Sequence, residues 1–173
     1  MTVADRRQFL NLFLGRKEKR ADYLRPPGSI VEKDFARICN GCGDCAKACP
    51  YKSIRIADGF PFIVPRVSPC YLCEGFPCIK SCPVGALRDI ESREQVRMGR
   101  AFINQKYCTA FGEMQCQFCF IKCPLSGKAI KLIDFKPVIQ EDGCTGCGLC
   151  EHICATVNDR APLKVVPYWQ KET

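Results

Sequence analysis

The sequence predicts an α+β fold of two small packed modules, made of short strands and short helices around a core that is not mainly hydrocarbon, with an N-terminal extension. Three observations predict it. The chain has 173 residues, room for one or two small domains. Sixteen of them are cysteine, a density at which a covalent or metal framework is expected. The 47% hydrophobic content counts those cysteines, and removing 16 of about 81 such residues leaves roughly 38%, thin for folding on apolar burial alone. No run approaches the roughly eighteen apolar residues that a spanning helix needs, so an integral membrane protein is not expected.

The cysteines fall into four groups of four: Cys39, Cys42, Cys45, Cys49; Cys70, Cys73, Cys78, Cys82; Cys108, Cys116, Cys119, Cys123; and Cys144, Cys147, Cys150, Cys154. The first reads C-x2-C-x2-C-x3-C-P and the last repeats those spacings, the bacterial run for a [4Fe-4S] cluster. The second is C-x2-C-x4-C-x3-C-P and the third C-x7-C-x2-C-x3-C-P, so each keeps the ending and lengthens a different loop. Three closely spaced thiolates can wrap one corner of an iron–sulfur cube. The fourth, at the start of a helical turn, faces away and ligates a neighbouring cluster. Pro50, Pro83 and Pro124 fix the chain direction after three of the motifs, while Ala155 stands there in the last.

Other uses of thiols fit less well. Eight disulfides would suit a small secreted scaffold, but neighbours two residues apart recur too regularly. Structural zinc is usually held by separated C-x2-C pairs rather than by a triple run. The C-x3-C-x2-C spacing of radical S-adenosylmethionine enzymes does not occur. The expected cofactors are four [4Fe-4S] clusters held by all sixteen cysteines in bacterial-ferredoxin-like modules.

Short strands are expected on both sides of the motifs. Phe60 to Val67, Ala101 to Asn104 and Lys136 to Gln140 precede the later three motifs. The segments following the motifs are Ser53 to Ile56, Gly85 to Leu87, Lys128 to Leu132 and Leu163 to Val166. Apolar and polar residues alternate in several of them. The segment Arg88 to Met98 is charged and reads as an exposed turn or helix between motifs two and three. His152, the one histidine, lies inside motif four and reads as a neighbour of a cluster that tunes it rather than as a ligand. Trp169 reads as a packing anchor.

Motifs one and four share identical spacings, which favours a nested pairing of one with four and two with three; sequential pairing is the alternative. The nested arrangement gives four sites: Cys39, Cys42, Cys45 with Cys154; Cys70, Cys73, Cys78 with Cys123; Cys108, Cys116, Cys119 with Cys82; and Cys144, Cys147, Cys150 with Cys49. Its modules are residues 31–65 plus 133–173 and residues 66–132, behind a basic N-terminal segment, 1–30.

Several runs resemble the ferredoxin-type accessory proteins of periplasmic nitrate reductase systems, of the NapG/MauM and NapF types. They are Arg25-Pro26-Pro27-Gly28 with Asp34-Phe35, Cys45-Ala46-Lys47-Ala48-Cys49-Pro50-Tyr51, Met98-Gly99, and Cys144-Thr145-Gly146-Cys147-Gly148. The run Pro77-Cys78-Ile79-Lys80-Ser81-Cys82-Pro83-Val84-Gly85-Ala86 is similar to four-cluster electron-transfer subunits of molybdopterin oxidoreductases, in which the pairing is nested. The resemblance implies single-electron transfer between a membrane quinol dehydrogenase, or another donor, and a molybdopterin reductase. The alternative it carries is a maturation factor for a molybdoenzyme.

At the N-terminus, Arg6-Arg7-Gln8-Phe9-Leu10 looks like the core of a twin-arginine export signal. The apolar stretch after it is interrupted by Asn11 and ended by Arg16-Lys17-Glu18-Lys19-Arg20. That pattern resembles the cytoplasmic NapF type, and the expected location is the cytoplasm, with periplasmic export as the alternative. The first 25 residues carry seven basic and three acidic groups, +4 of the whole +8, and with Phe9, Leu10, Leu12, Phe13 and Leu14 they suit peripheral docking on anionic lipid or on a partner.

The 26 Lys and Arg against 18 Asp and Glu suggest an anionic partner such as nucleic acid, but the count treats the thiols as neutral. Ligands are deprotonated, and four oxidised cubes with their thiolates contribute about −2 each, which cancels the excess and leaves no basis for nucleic-acid binding. No phosphate-binding glycine loop and no nucleophile–base pair is present. The expected function is electron transfer without a substrate site, rather than stand-alone catalysis.

Overall fold

The computed structural model describes residues 23–112 and 114–168. The twin-arginine-like motif, the apolar residues Phe9 to Leu14 and Trp169 lie outside the described residues. Among the described residues no helix is long and apolar enough to cross a membrane.

Two halves follow one another along the chain. The first opens with helix α1 (Glu32–Ile38), then the motif-one helix α2 (Asp44–Ala48), the strands β1 (Arg55–Ala57) and β2 (Phe60–Phe62), and the motif-two turn α3 (Pro77–Lys80). In the second half β3 (Gly99–Ile103) precedes the motif-three turn α4 (Phe118–Ile121). The strands β4 (Ile130–Ile133) and β5 (Lys136–Ile139), the motif-four helix α5 (Leu149–Val157) and β6 (Leu163–Pro167) complete it. Each half is thus a pair of cysteine motifs joined by an antiparallel hairpin, β1 with β2 and β4 with β5. The small, ferredoxin-like architecture expected from the cysteine spacing is present.

The ends of each half close on themselves. β3 pairs antiparallel with β6, Gly99 opposite Pro167 and Ile103 opposite Leu163. In the first half the corresponding closure shrinks to a bridge between Ser29 and Leu87, supported by the Arg88 amide donating to the Gly28 carbonyl at 2.7 Å. The expected strands at Lys136 to Gln140 and Leu163 to Val166 fall on β5 and β6, while the expected Ser53 to Ile56 meets β1 only at Arg55 and Ile56. Gly85 to Leu87 contributes only that bridge.

This connectivity corrects the nested modules. The segments 66–132 and 133–173 are not separate units, because β3 belongs to the first and its partner β6 to the second. The observed halves run from Tyr23 to about Ile90 and from about Arg97 to Tyr168. The reason is local: a short hairpin returns the chain at once, so consecutive motifs meet with little loop-closure cost. The segment Arg88 to Met98 also differs from expectation. Its middle, Arg93–Gln95, is an exposed helical turn, but Val96 and Met98 are buried in the common core.

The core runs through both halves. Phe35, Leu24, Ile63 and Leu72 are fully buried in the first, Ile130 and Val165 in the second, with half of the cysteines buried among them. The halves touch where Cys70 N–H donates to the Cys147 carbonyl at 2.9 Å, and Met98 is fixed within the second half by its N–H donating to the Thr145 carbonyl at 3.0 Å.

Candidate iron–sulfur sites

Each motif begins as an irregular loop and ends in a helical turn, and the glycines decide its course. In motif four Gly146 and Gly148 take φ of +71° and +87°, and a Cβ added to either would lie 2.4 Å from the backbone of Gly99 or the side chain of Pro65. Only glycine gives this path without strain. Motif two reaches a similar turn without glycine: Leu72 has φ +49°, and its side chain is fully buried. Its left-handed backbone costs on the order of 1 kcal/mol.

The influence of the thiols on one another sorts them into four groups. Cys45 is pushed up to about 11 by burial, and the thiols of Cys39, Cys42 and Cys82 raise it further. Burial lifts Cys78 to about 12, with Cys49 its next largest influence, and Cys73 likewise feels burial first and then Cys49. Cys119 is lifted to about 12 by burial and then by Cys108, Cys116 and Cys154. Cys150, raised well above the ordinary thiol value by burial, feels Cys147, Cys144 and Cys123.

The fourth cysteine of each motif therefore sits with the other motif of its own half. Cys82 joins Cys39, Cys42 and Cys45; Cys49 joins Cys70, Cys73 and Cys78; Cys154 joins Cys108, Cys116 and Cys119; Cys123 joins Cys144, Cys147 and Cys150. The nested assignment, with Cys154 at the first group, Cys123 at the second, Cys82 at the third and Cys49 at the fourth, is corrected to the sequential one. Helix α2 packs on α3, and α4 on α5, so the helical turns that carry these cysteines meet within a half. A signal in the sequence was available: 70 − 49 and 144 − 123 both equal 21, whereas 108 − 82 is 26.

Two of the groups line cavities. One is walled by Cys49, Cys70, Cys73 and Cys78 with Ile54, Ile63 and Phe76. The other is walled by Cys123, Cys144, Cys147 and Cys150 with Ala101, Leu125 and Val165. Among the described residues no three His, Cys, Asp or Glu side chains are set to hold a single metal ion. Four thiols with an apolar lining are a donor set that suits an iron–sulfur cluster.

Backbone amides serve the sulfurs. The N–H groups of Leu72, Leu149, Ala110 and Leu125 point at Cys70, Cys147, Cys108 and Cys123 and oppose the rise that burial causes. Ser53 N–H donates to Cys49 Sγ at 3.4 Å. Such donors stabilise thiolates in a dry site and tune a bound cluster.

The groups also form a sequence in space. Cys45 influences Cys78, Cys147 influences Cys70, and Cys119 influences Cys150, so the order is motif one, two, four, three. The middle two groups are the more buried, and at one end Cys42 is exposed. His152 takes no place in any group; its Nδ1 lies 2.9 Å from the Arg66 carbonyl oxygen, across the boundary between halves.

One residue was missed from sequence. Glu151 is buried, accepts the Val165 N–H at 2.7 Å and raises the Cys154 thiol. A glutamate in a short helix carries no signal of burial.

Tandem halves of short strands and helical turns, each closing around two four-thiol groups, define a ferredoxin-type iron–sulfur protein of electron transfer. No model of a protein family matches the chain. It is 41% identical over 164 residues to the ferredoxin-type protein NapG of Escherichia coli, covering 83% of this chain and 70% of that one. It is 40% identical over 161 residues to the methylamine utilization ferredoxin-type protein MauM of Paracoccus denitrificans, covering 83% and 71%. The ferredoxin-type protein NapF of Escherichia coli is 28% identical over 156 residues, 83% and 87% of the two chains. The chain belongs to the NapG/MauM family of ferredoxin-type proteins.

Proposed function

We propose that the chain holds four [4Fe-4S] clusters, one on each thiol group, and relays single electrons from a quinol dehydrogenase or similar donor to a reductase of the nitrate-reductase type. The carrying observation is the pair of apolar four-cysteine cavities at the centre, each completed by the fourth cysteine of the neighbouring motif. When bound, each cluster supplies a reversible one-electron couple. The chain's own residues hold the thiolates in place, exclude water from the two central sites through Ile54, Ile63, Leu125 and Val165, and direct amide dipoles at the sulfurs. The order of the groups favours relay: two buried sites lie between two that reach the surface, an arrangement that serves passage from one face to another.

Anaerobic purification with iron and sulfide counting, followed by redox-titrated spin resonance, tests this. About sixteen irons per chain and four one-electron signals are expected. About four irons, or zinc in their place, overturns the reading.

A further inference from the structure

The two surface ends of the thiol sequence differ, and the difference assigns a partner. Around motif one, residues 31–58 carry five basic groups against the four carboxylates Glu32, Asp34, Asp44 and Asp58, a near balance in which Arg37 pairs with Asp34 at 2.8 Å and Lys47 with Asp44 at 2.9 Å. Exposed apolar side chains there reach 54% at Val31 and 52% at Tyr51, whose ring stacks on Tyr71 with centroids 4.0 Å apart, with Ile56 and Ile38 at 41% and 38%.

The motif-three end is of another kind. Ile121, Met114, Phe135 and Phe118 are 65%, 64%, 58% and 47% exposed. Phe118 and Ile121 lie three residues apart on α4 and so share a face. The hairpin tip carrying Phe135 belongs with them, since β4 packs on α4 and β5 on the Thr109–Phe111 turn. Exposed apolar side chains gathered around one site mark an interaction surface. The rim is basic. Residues 105–137 carry five lysines against Glu113 and Asp134, and Lys122, Lys131 and Lys136 are exposed with no ion pair among the described residues.

Resting on the iron–sulfur reading above, we propose that this motif-three end is the docking face for a redox protein that presents an apolar patch ringed by carboxylates. Charge complementarity selects the occupant. A second copy of this chain on the same face would oppose lysine to lysine in an isologous contact. A lipid surface would satisfy the lysines but not the half-buried Cys108, Cys116 and Cys154 at the centre, where close approach serves electron exchange.

The test uses the holoprotein and reduced flavodoxin, an acidic one-electron donor, as probe, with cluster bleaching followed by stopped flow. The wild-type rate is expected to fall steeply with salt. The variant Lys122→Glu/Lys131→Glu/Lys136→Glu is expected to lose about tenfold in rate and most of its salt dependence, since rim charges act on association. Ile121→Ser/Phe135→Ser should slow the same reaction, while Lys33→Glu/Arg55→Glu at the motif-one end should change it less than about twofold. Equal effects at the two ends, or none, overturn the proposal. So does binding to phosphatidylglycerol vesicles that the triple variant abolishes while the flavodoxin rate holds, which would make the face a lipid surface. Sedimentation of the wild type as a dimer that Ile121→Ser/Phe135→Ser dissociates would make it a self-interface and also overturns it. Bleaching by dithionite is the control: its absence sinks the iron–sulfur reading itself, and the docking face with it.

Discussion

The Cys70 amide donates to the Cys147 carbonyl at 2.9 Å, a direct backbone link between a motif-two thiol loop and a motif-four thiol loop. It sets the two central groups side by side across the boundary between halves. A consequence is magnetic. In the fully reduced holoprotein, spin resonance is expected to show interaction between the two central clusters, seen as broadened signals that sharpen when only one of the pair is reduced. Four sharp, additive signals at full reduction would contradict the adjacency.

The pairing of motifs makes a sharper forecast. Cys49→Ser and Cys73→Ser affect one site if the pairing is sequential and two if it is nested. The double variant is therefore expected to keep about twelve irons per chain, three cubes of four, whereas nested pairing would leave about eight. Cys123→Ser with Cys73→Ser is the contrasting double variant: Cys123 sits with motif four and Cys73 with motif two, so two sites are damaged if the pairing is sequential and one if it is nested. Iron analysis beside circular dichroism of the folded protein separates the cases.

That pairing also marks where the sequence was readable. The grouping of sixteen cysteines into fours and the strands at Lys136 to Gln140 and Leu163 to Val166 followed from spacing and alternation, which are local. Pairing is not local. Identical spacing inside motifs one and four pointed to nesting, but loop spacing reports how one cluster is wrapped, whereas the 21-residue separations of Cys49 to Cys70 and Cys123 to Cys144 report which motifs a hairpin joins. Val96 and Met98 were hidden for a related reason: charged neighbours outvoted two apolar residues whose burial depends on segments distant in sequence, Met98 being bonded to Thr145 and Tyr168. Leu72 was hidden because nothing in its type suggests a positive φ.

Glycine substitutions should grade by surroundings. Gly146→Ala must place a Cβ 2.4 Å from the Gly99 backbone and hold a positive φ, while Gly127→Ala has the positive φ but nothing within 4 Å. The second is expected to cost about 1–2 kcal/mol in thermal unfolding of the holoprotein. Gly146→Ala should cost more, because backbone rather than a flexible side chain has to move, and should also lower iron content at the Cys144, Cys147 and Cys150 site. Equal melting temperatures for the two variants would show that the close approach carries no energy.

Cluster loading should depend on pH in a defined direction. Burial raises Cys45 and Cys147 to about 11 and Cys78 and Cys119 to about 12, against about 8.5 for a free thiol. In the thiol form these groups are neutral when folded, so their contribution to stability is present below about pH 8.5 and is lost as pH rises through 11 to 12. Loading runs the other way, since each ligand gives up a proton. Reconstitution with ferrous iron and sulfide is expected to proceed further at pH 8.5 than at pH 6.5, with acid pulses releasing iron. Equal iron content after reconstitution at both values would contradict it.

Glu151 offers a test of tuning at one end of the relay. Its carboxylate is buried, held by the Val165 amide at 2.7 Å, and raises the neighbouring Cys154 thiol. A fixed negative charge disfavours adding an electron nearby, and a buried one is screened little by salt. Glu151→Gln keeps the shape and a carbonyl oxygen to accept the Val165 N–H, so the α5 to β6 contact is retained while the charge goes. The potential of the cluster on Cys108, Cys116, Cys119 and Cys154 is then expected to rise by on the order of tens of millivolts. The cluster on Cys39, Cys42, Cys45 and Cys82, at the far end, should stay within error. Redox-titrated spin resonance reads both in one sample. A uniform shift of all four couples would point to a general loosening of the fold, and no shift at all would mean that the carboxylate is already neutralised where it sits.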